Sequence, residues 1–68
     1  MTATITLNGS PHQVPAEATV ASLLESLGLA GKPVVVELDG EAIFPRDHAQ
    51  TLVPDGARVE IVTLAAGG

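Results

Sequence analysis

A chain of 68 residues is expected to hold one small domain, burying only about 60% of its unfolded surface, with no room for a second. The apolar residues (46%) are Val, Leu, Ile and Ala with a single aromatic, Phe44, so the core is expected to be aliphatic and thin. The net charge of −5, eight carboxylates against Lys32, Arg46 and Arg58, argues against a nucleic-acid partner, which needs a basic patch, and favours an electropositive protein partner. Without cysteine there is no disulfide framework, no zinc-finger spacing and no thiol nucleophile. The opening MTATITLNGS has neither a basic leader region nor a continuous apolar stretch, so no signal peptide, no membrane span and a cytoplasmic location are expected.

In TATITLNG, Ala3, Ile5 and Leu7 alternate with Thr2, Thr4 and Thr6, the period of a half-buried strand. Asn8-Gly9 supplies a tight hairpin turn, and PHQVP is predicted to return as a short second strand whose Pro11 and Pro15 suit a sheet edge. TVASLLESLGL places Val20, Leu23, Leu24 and Leu27 on one stripe, which predicts a helix of about ten residues. Thr19 is expected to cap its start, and Gly28 to end it with Leu29 folded back towards Leu24.

After the loop AGKP, VVVELDG reads as a strand with Val34, Val36 and Leu38 inward and Glu37 and Asp39 outward, Val35 being the apolar exception on the outer face. Asp39-Gly40 is a second hairpin signal. EAIF is expected as a short strand closed by Pro45, followed by a polar connection, PRDHAQTLVPDGA, that turns at Pro54-Asp55-Gly56. The last strand is RVEIVTL, where Val59 and Ile61 alternate with Arg58 and Glu60. Residues 1–64 are expected to form the folded domain and residues 65–68 a flexible tail. Two hairpins flanking one amphipathic helix predict a two-layer α+β fold. A right-handed crossover then brings the first strand parallel to a later one, in a mixed sheet of four to five strands with one main helix on one face: the β-grasp arrangement.

Side chains able to do chemistry are few. His12 and His48 lie far apart without metal-ligand spacing and are expected to be solvent-exposed. Glu37, Asp39 and Glu41 alternate around a hairpin; a hard-cation site is conceivable there, and an ordinary solvated sheet face is the simpler reading. Ser10, Ser22 and Ser26 have no nearby histidine, and LDGEAI and LNGSP have too few glycines for a phosphate loop. No catalytic residues, metal or cofactor are expected. The reactive group is expected instead at the Gly-Gly end, as a terminal carboxylate on Gly68 that is ionised at neutral pH. Glycine, lacking Cβ, lets backbone pass a narrow channel and lets a nucleotide and a nucleophile approach the carbonyl. Four residues from Ala65 reach at most about 14 Å, enough to enter a partner's active site. A frayed tail is the competing reading.

Asn8-Gly9 after the first strand, TVASLLESLG in the helix, the aliphatic strand ending at Asp39-Gly40, Pro45-Arg46, and DGARVEIV leading to Gly67-Gly68 together resemble the ThiS family. These are bacterial sulfur carriers of thiamine biosynthesis, ubiquitin-like β-grasp proteins, and the resemblance covers essentially the whole chain. The sequence departs from the common pattern in having Ala57, in lacking a bulky aromatic after Arg46, and in having Ala66 where a third glycine is frequent. The resemblance implies that an ATP-using ThiF-type adenylyltransferase activates Gly68, and that a sulfurtransferase or cysteine desulfurase route converts it to a thiocarboxylate. A ThiG-type thiazole synthase would then take the sulfur for the thiazole of thiamine. Such a chain is a carrier and co-substrate, not an enzyme. On this reading Gly68 holds the sulfur, Gly67 gives passage, and Ala65 and Ala66 keep the tail slim. A docking surface is expected on the sheet face away from the helix, near Val35, Val62 and Leu64, framed by Glu37 and Glu60. Two rivals stay open: a carrier resembling the small subunit of molybdopterin synthase, and a ubiquitin-like modifier or plain interaction domain.

Overall fold

A computed structural model describes residues 1–64. Strands β1 (Thr2–Leu7) and β2 (Ser10–Pro15) form the first hairpin, and β3 (Val34–Leu38) and β4 (Glu41–Ile43) the second. Both turns place an Asx-Gly pair in the left-handed region, Asn8 at φ 49° with Gly9 at 85° and Asp39 at 51° with Gly40 at 85°. That is the backbone a two-residue hairpin needs to match the strand twist. β5 (Arg58–Thr63) lies between the hairpins, parallel to β1 and antiparallel to β3, giving the order β2-β1-β5-β3-β4. The sheet is the expected mixed β-grasp sheet, with five strands.

The hydrogen-bond phase explains the prolines. Thr6 N–H donates to the Ala57 carbonyl and Asn8 N–H to the Val59 carbonyl, so these residues face β5. Ala3, Ile5 and Leu7 then face β2, opposite Val14, His12 and Ser10. The outward positions of β2 are Pro11, Gln13 and Pro15, and two of these have no N–H to offer a foreign strand.

Helix α1 (Val20–Ser26) is seven residues long, shorter than the ten the apolar stripe predicts. Its start is a reciprocal box: Ser22 N–H donates to Thr19 Oγ1 at 3.1 Å and Thr19 N–H to Ser22 Oγ at 2.9 Å. Its end is the expected one, with Gly28 at φ 75°. Leu29 N–H then reaches the Leu24 carbonyl (2.8 Å) and Gly28 N–H the Glu25 carbonyl (3.1 Å), the paired bonds of a Schellman closure. The stripe residues Val20, Leu23 and Leu24 are buried against one sheet face in a cluster with Ile5, Val36 and Val59, and Leu27 and Leu29 close its rim. Every residue of that core is aliphatic.

Two expectations are corrected after β4. Phe44 lies outside the strand, and part of the supposed polar connection is a 3-10 helix, Pro45–Gln50, packed beside α1. Proline at its first position presets the backbone, and Thr51 Oγ1 donates to the Asp47 carbonyl at 2.7 Å. The chain then bridges to the helix entrance: Val20 N–H donates to the Thr51 carbonyl and Val53 N–H to the Ala18 carbonyl, both at 2.9 Å. No helix among the described residues is long and apolar enough to cross a membrane.

Candidate functional site

β5 leads to the Gly-Gly end, and side chains from the turns fasten it on both flanks. β1 turns away after its parallel pairing with β5 at Thr6 opposite Arg58 and Leu7 opposite Val59. The Asn8 carboxamide takes the place of the next strand residue: Ile61 N–H donates to Asn8 Oδ1 at 2.8 Å, and Asn8 Nδ2–H donates to the Ile61 carbonyl at 3.3 Å. On the other flank Arg58 N–H donates to Asp39 Oδ1 at 2.8 Å, and Asp39 N–H to the Arg58 carbonyl at 2.7 Å. Asp55, in the turn before β5, accepts from Thr4 N–H at 2.8 Å. The pairing with β3 runs one residue past the strand, where Leu64 N–H donates to the Pro33 carbonyl at 2.9 Å. The expected sulfur-bearing Gly68 and the passage residues Gly67, Ala66 and Ala65 lie outside the described residues.

The five residues expected at a partner surface fall as follows. On β5, Val59 and Ile61 are buried while Glu60 and Val62 point to the opposite, helix-free face. Val35 lies directly opposite Val62, and Glu37 directly opposite Glu60, so four of the five form two cross-strand pairs. Leu64 follows Val62 by two residues, and alternation carries it to the same side. The apolar members stay open to solvent, Val35 at 42%, Val62 at 58% and Leu64 at 51%. The face continues away from them through Thr6 and Thr4 of β1 to Pro11 and Gln13 of β2, a stretch without large apolar groups. On this face the exposed aliphatics are therefore concentrated beside the end of β5.

Other candidates look different in three dimensions. His12 and His48 are half-buried rather than solvent-exposed. His48 sits in a cleft with Leu24, Leu29, Pro33 and Pro45, and its Nε2–H donates to the Ile43 carbonyl at 3.1 Å. Asp39 is a turn residue serving β5, not part of a solvated strand face, and Glu37 is half-buried. Among the described residues no three His, Asp or Glu side chains converge as a metal site would require. A second exposed feature was not anticipated: Phe44, 57% exposed, with the Arg46 guanidinium 5.3 Å from its ring centre, beside an open groove of about 580 Å³ along β4. A lone aromatic next to proline and arginine was its only signal in the sequence.

Comparison with known proteins bears on the whole chain. A crystal structure of a thiamine biosynthesis protein (ThiS) from Geobacter metallireducens superposes with a TM-score of 0.80 at 35% identity, covering 96% of this chain and 99% of that one. A thiazole synthase from Paramagnetospirillum magneticum is 36% identical over 64 residues, and one from Magnetococcus marinus is 31% identical over 64. Each alignment takes in 94% of this chain but 20% of the relative, so the chain spans about a fifth of the length of the curated relatives it matches. The model of the ThiS family matches residues 5–68, and with the β-grasp fold described above this chain belongs to the ThiS family.

Proposed function

We propose that the chain is a sulfur carrier of thiamine biosynthesis whose Gly68 carbonyl bears the sulfur. An ATP-using ThiF-type enzyme joins the Gly68 carboxylate to the α-phosphate of ATP, with pyrophosphate leaving. The acyl adenylate then loses AMP to the terminal sulfur of a cysteine persulfide on a sulfurtransferase or cysteine desulfurase, and a second thiol cleaves the resulting acyl disulfide, leaving a thiocarboxylate on the carrier and a disulfide on the donor side. A ThiG-type thiazole synthase takes that sulfur into the thiazole ring. The observation that carries this reading is the reach of the family match, which runs from Ile5 through Gly67 and Gly68. The relatives named thiazole synthase hold a stretch similar to this chain within a longer polypeptide, which supports a thiazole synthase as the acceptor.

The chain's own part in this chemistry is placement. β5 is fastened at Arg58 by Asp39 and at Ile61 by Asn8, so the end of this strand is held while partners engage the sheet face. Val35, Val62 and Leu64 form the apolar part of the contact surface, with Glu37 and Glu60 beside it. Burying such side chains in an interface contributes roughly 25 cal/mol per Å² of apolar surface before the costs of association are subtracted.

The test is intact mass after incubation with ATP, the adenylyltransferase and a sulfur donor. Exchange of one oxygen for sulfur at Gly68 is expected, and thiazole formation is expected to stop when Gly67 and Gly68 are deleted. Attachment to a lysine would instead indicate a modifier. An unchanged mass, or thiazole formation by the truncated chain, overturns the reading.

A further inference from the structure

Resting on the carrier reading above, we propose that Glu37 and Glu60 together clamp a single arginine or lysine on the docking surface of the thiazole synthase, and that this contact selects the partner. The two glutamates are direct cross-strand partners on β3 and β5. They belong to the hydrogen-bonded set of pairs, because Pro33 with Leu64 and Asp39 with Arg58, each two or four residues away, bond across the same ladder. Their side chains therefore rise from the same face, and like charges in that position oppose sheet formation.

Neither glutamate makes an ion pair among the described residues. The ion pair found there joins Arg46 to Asp47 at 4.0 Å, away from this face. Arg58, two residues before Glu60, makes no ion pair with either carboxylate, and the next neighbour of Glu37 on β4 is Ala42. The remaining cation, Lys32, lies in the loop before β3.

The position of the pair gives it a recognition role. Val35 and Val62, the adjacent cross-strand pair, are open to solvent, and a partner that covers them must draw water away from Glu37 and Glu60. Two carboxylates stripped of water without a counter-charge are strongly unfavourable, so an apolar surface alone is rejected. An apolar surface carrying one cationic side chain at that point is accepted, because one cation reaches both carboxylates and relieves their mutual repulsion as well. Specificity arises from the penalty against wrong partners as much as from the gain with the right one. The overall charge of −5 adds attraction at longer range.

The experiment uses the full chain, Glu37→Gln, Glu60→Gln, their double variant and Glu60→Lys, titrated calorimetrically into the cognate thiazole synthase at low and high salt. All variants are expected to melt above the wild type, since each removes the like-charge pair, and yet to bind less tightly. The double glutamine variant is expected to lose about tenfold in affinity and most of the salt dependence, and Glu60→Lys to lose more. A double variant that binds as well as the wild type, or keeps its salt dependence, overturns the proposal. So does one that melts below it. A wild type that takes up sulfur while the variants bind and deliver it equally well removes the clamp and leaves the carrier reading intact. A wild type that takes up no sulfur overturns the carrier reading itself, and the clamp with it.

Discussion

Replacing Asn8 with glycine removes two hydrogen bonds to β5 while leaving the turn backbone unstrained, because glycine adopts φ 49° freely. The bond from Ile61 N–H at 2.8 Å is short and part-buried, and the bond to the Ile61 carbonyl at 3.3 Å is long. At about 0.5–1.5 kcal/mol for a net protein hydrogen bond, with the longer one near the lower end, Asn8→Gly is expected to cost about 1–2 kcal/mol. Asn8→Ala loses the same bonds and adds about 1–2 kcal/mol for a Cβ in the left-handed region, for a total of about 2–4 kcal/mol. In a domain of this size 1 kcal/mol moves the melting point by about 4–8 °C, so the two variants separate clearly in a calorimetric scan. Asn8→Asp keeps the acceptor for Ile61 N–H but sets an oxygen against the Ile61 carbonyl, and is expected to fall near Asn8→Gly. Amide exchange at Ile61 locates the effect, since protection there is expected to drop in the glycine and alanine variants and to persist in Asn8→Asp, which keeps the acceptor. If Asn8→Gly melts with the wild type and its Ile61 amide stays protected, the side chain does not fasten β5. If alanine and glycine cost the same, the strain argument fails.

Thr19→Ala removes the Thr19 half of the capping box and is expected to cost about 1 kcal/mol in thermal unfolding, with Thr19→Ser close to neutral. Replacing Pro11 and Pro15 with threonine restores outward N–H groups on β2, and faster loss of monomer in light scattering is expected at unchanged secondary structure. Val62→Thr with Leu64→Ser touches no core contact and is expected to shift stability by less than about 1 kcal/mol in total. The same double variant is expected to weaken binding to the adenylyltransferase roughly tenfold, measured by titration; unchanged binding would remove these residues from the interface.

The parts of the fold legible in the sequence are those that local chemistry decides. Ala3, Ile5 and Leu7 alternate with threonines, Asn8-Gly9 and Asp39-Gly40 demand left-handed turns, and Val20, Leu23 and Leu24 share one helical stripe. Leu27 extends that stripe as the C-cap residue, and the left-handed Gly28 ends the helix as its position predicts. The 3-10 helix was hidden because what holds it lies elsewhere in the chain, in the bridge between Leu52 and Thr19 and in the packing against α1. The half-burial of His48 was hidden likewise, since Leu24, Leu29 and Pro33 reach its cleft from distant positions. On the candidate face, Val35 announced itself as an apolar residue on an otherwise polar side. Its pairing with Val62, and that of Glu37 with Glu60, depends on the long-range register of β3 and β5, which no local pattern encodes.

That register is where stability and the proposed recognition meet. Along β5 the side chains alternate between the two roles, Val59 and Ile61 in the core and Glu60 and Val62 on the open face. Because the period of a strand is two, a slip of one residue would bury Glu60 and Val62 and expose Val59 and Ile61. The hydrophobic pattern opposes such a slip, and the turn side chains oppose it again: Asp39 engages the amide of Arg58 and Asn8 that of Ile61, on opposite edges of the same strand. A slip would have to break both at once. The asparagine and aspartate that make the hairpins turn thus also determine which β5 side chains stand on the open face of the sheet.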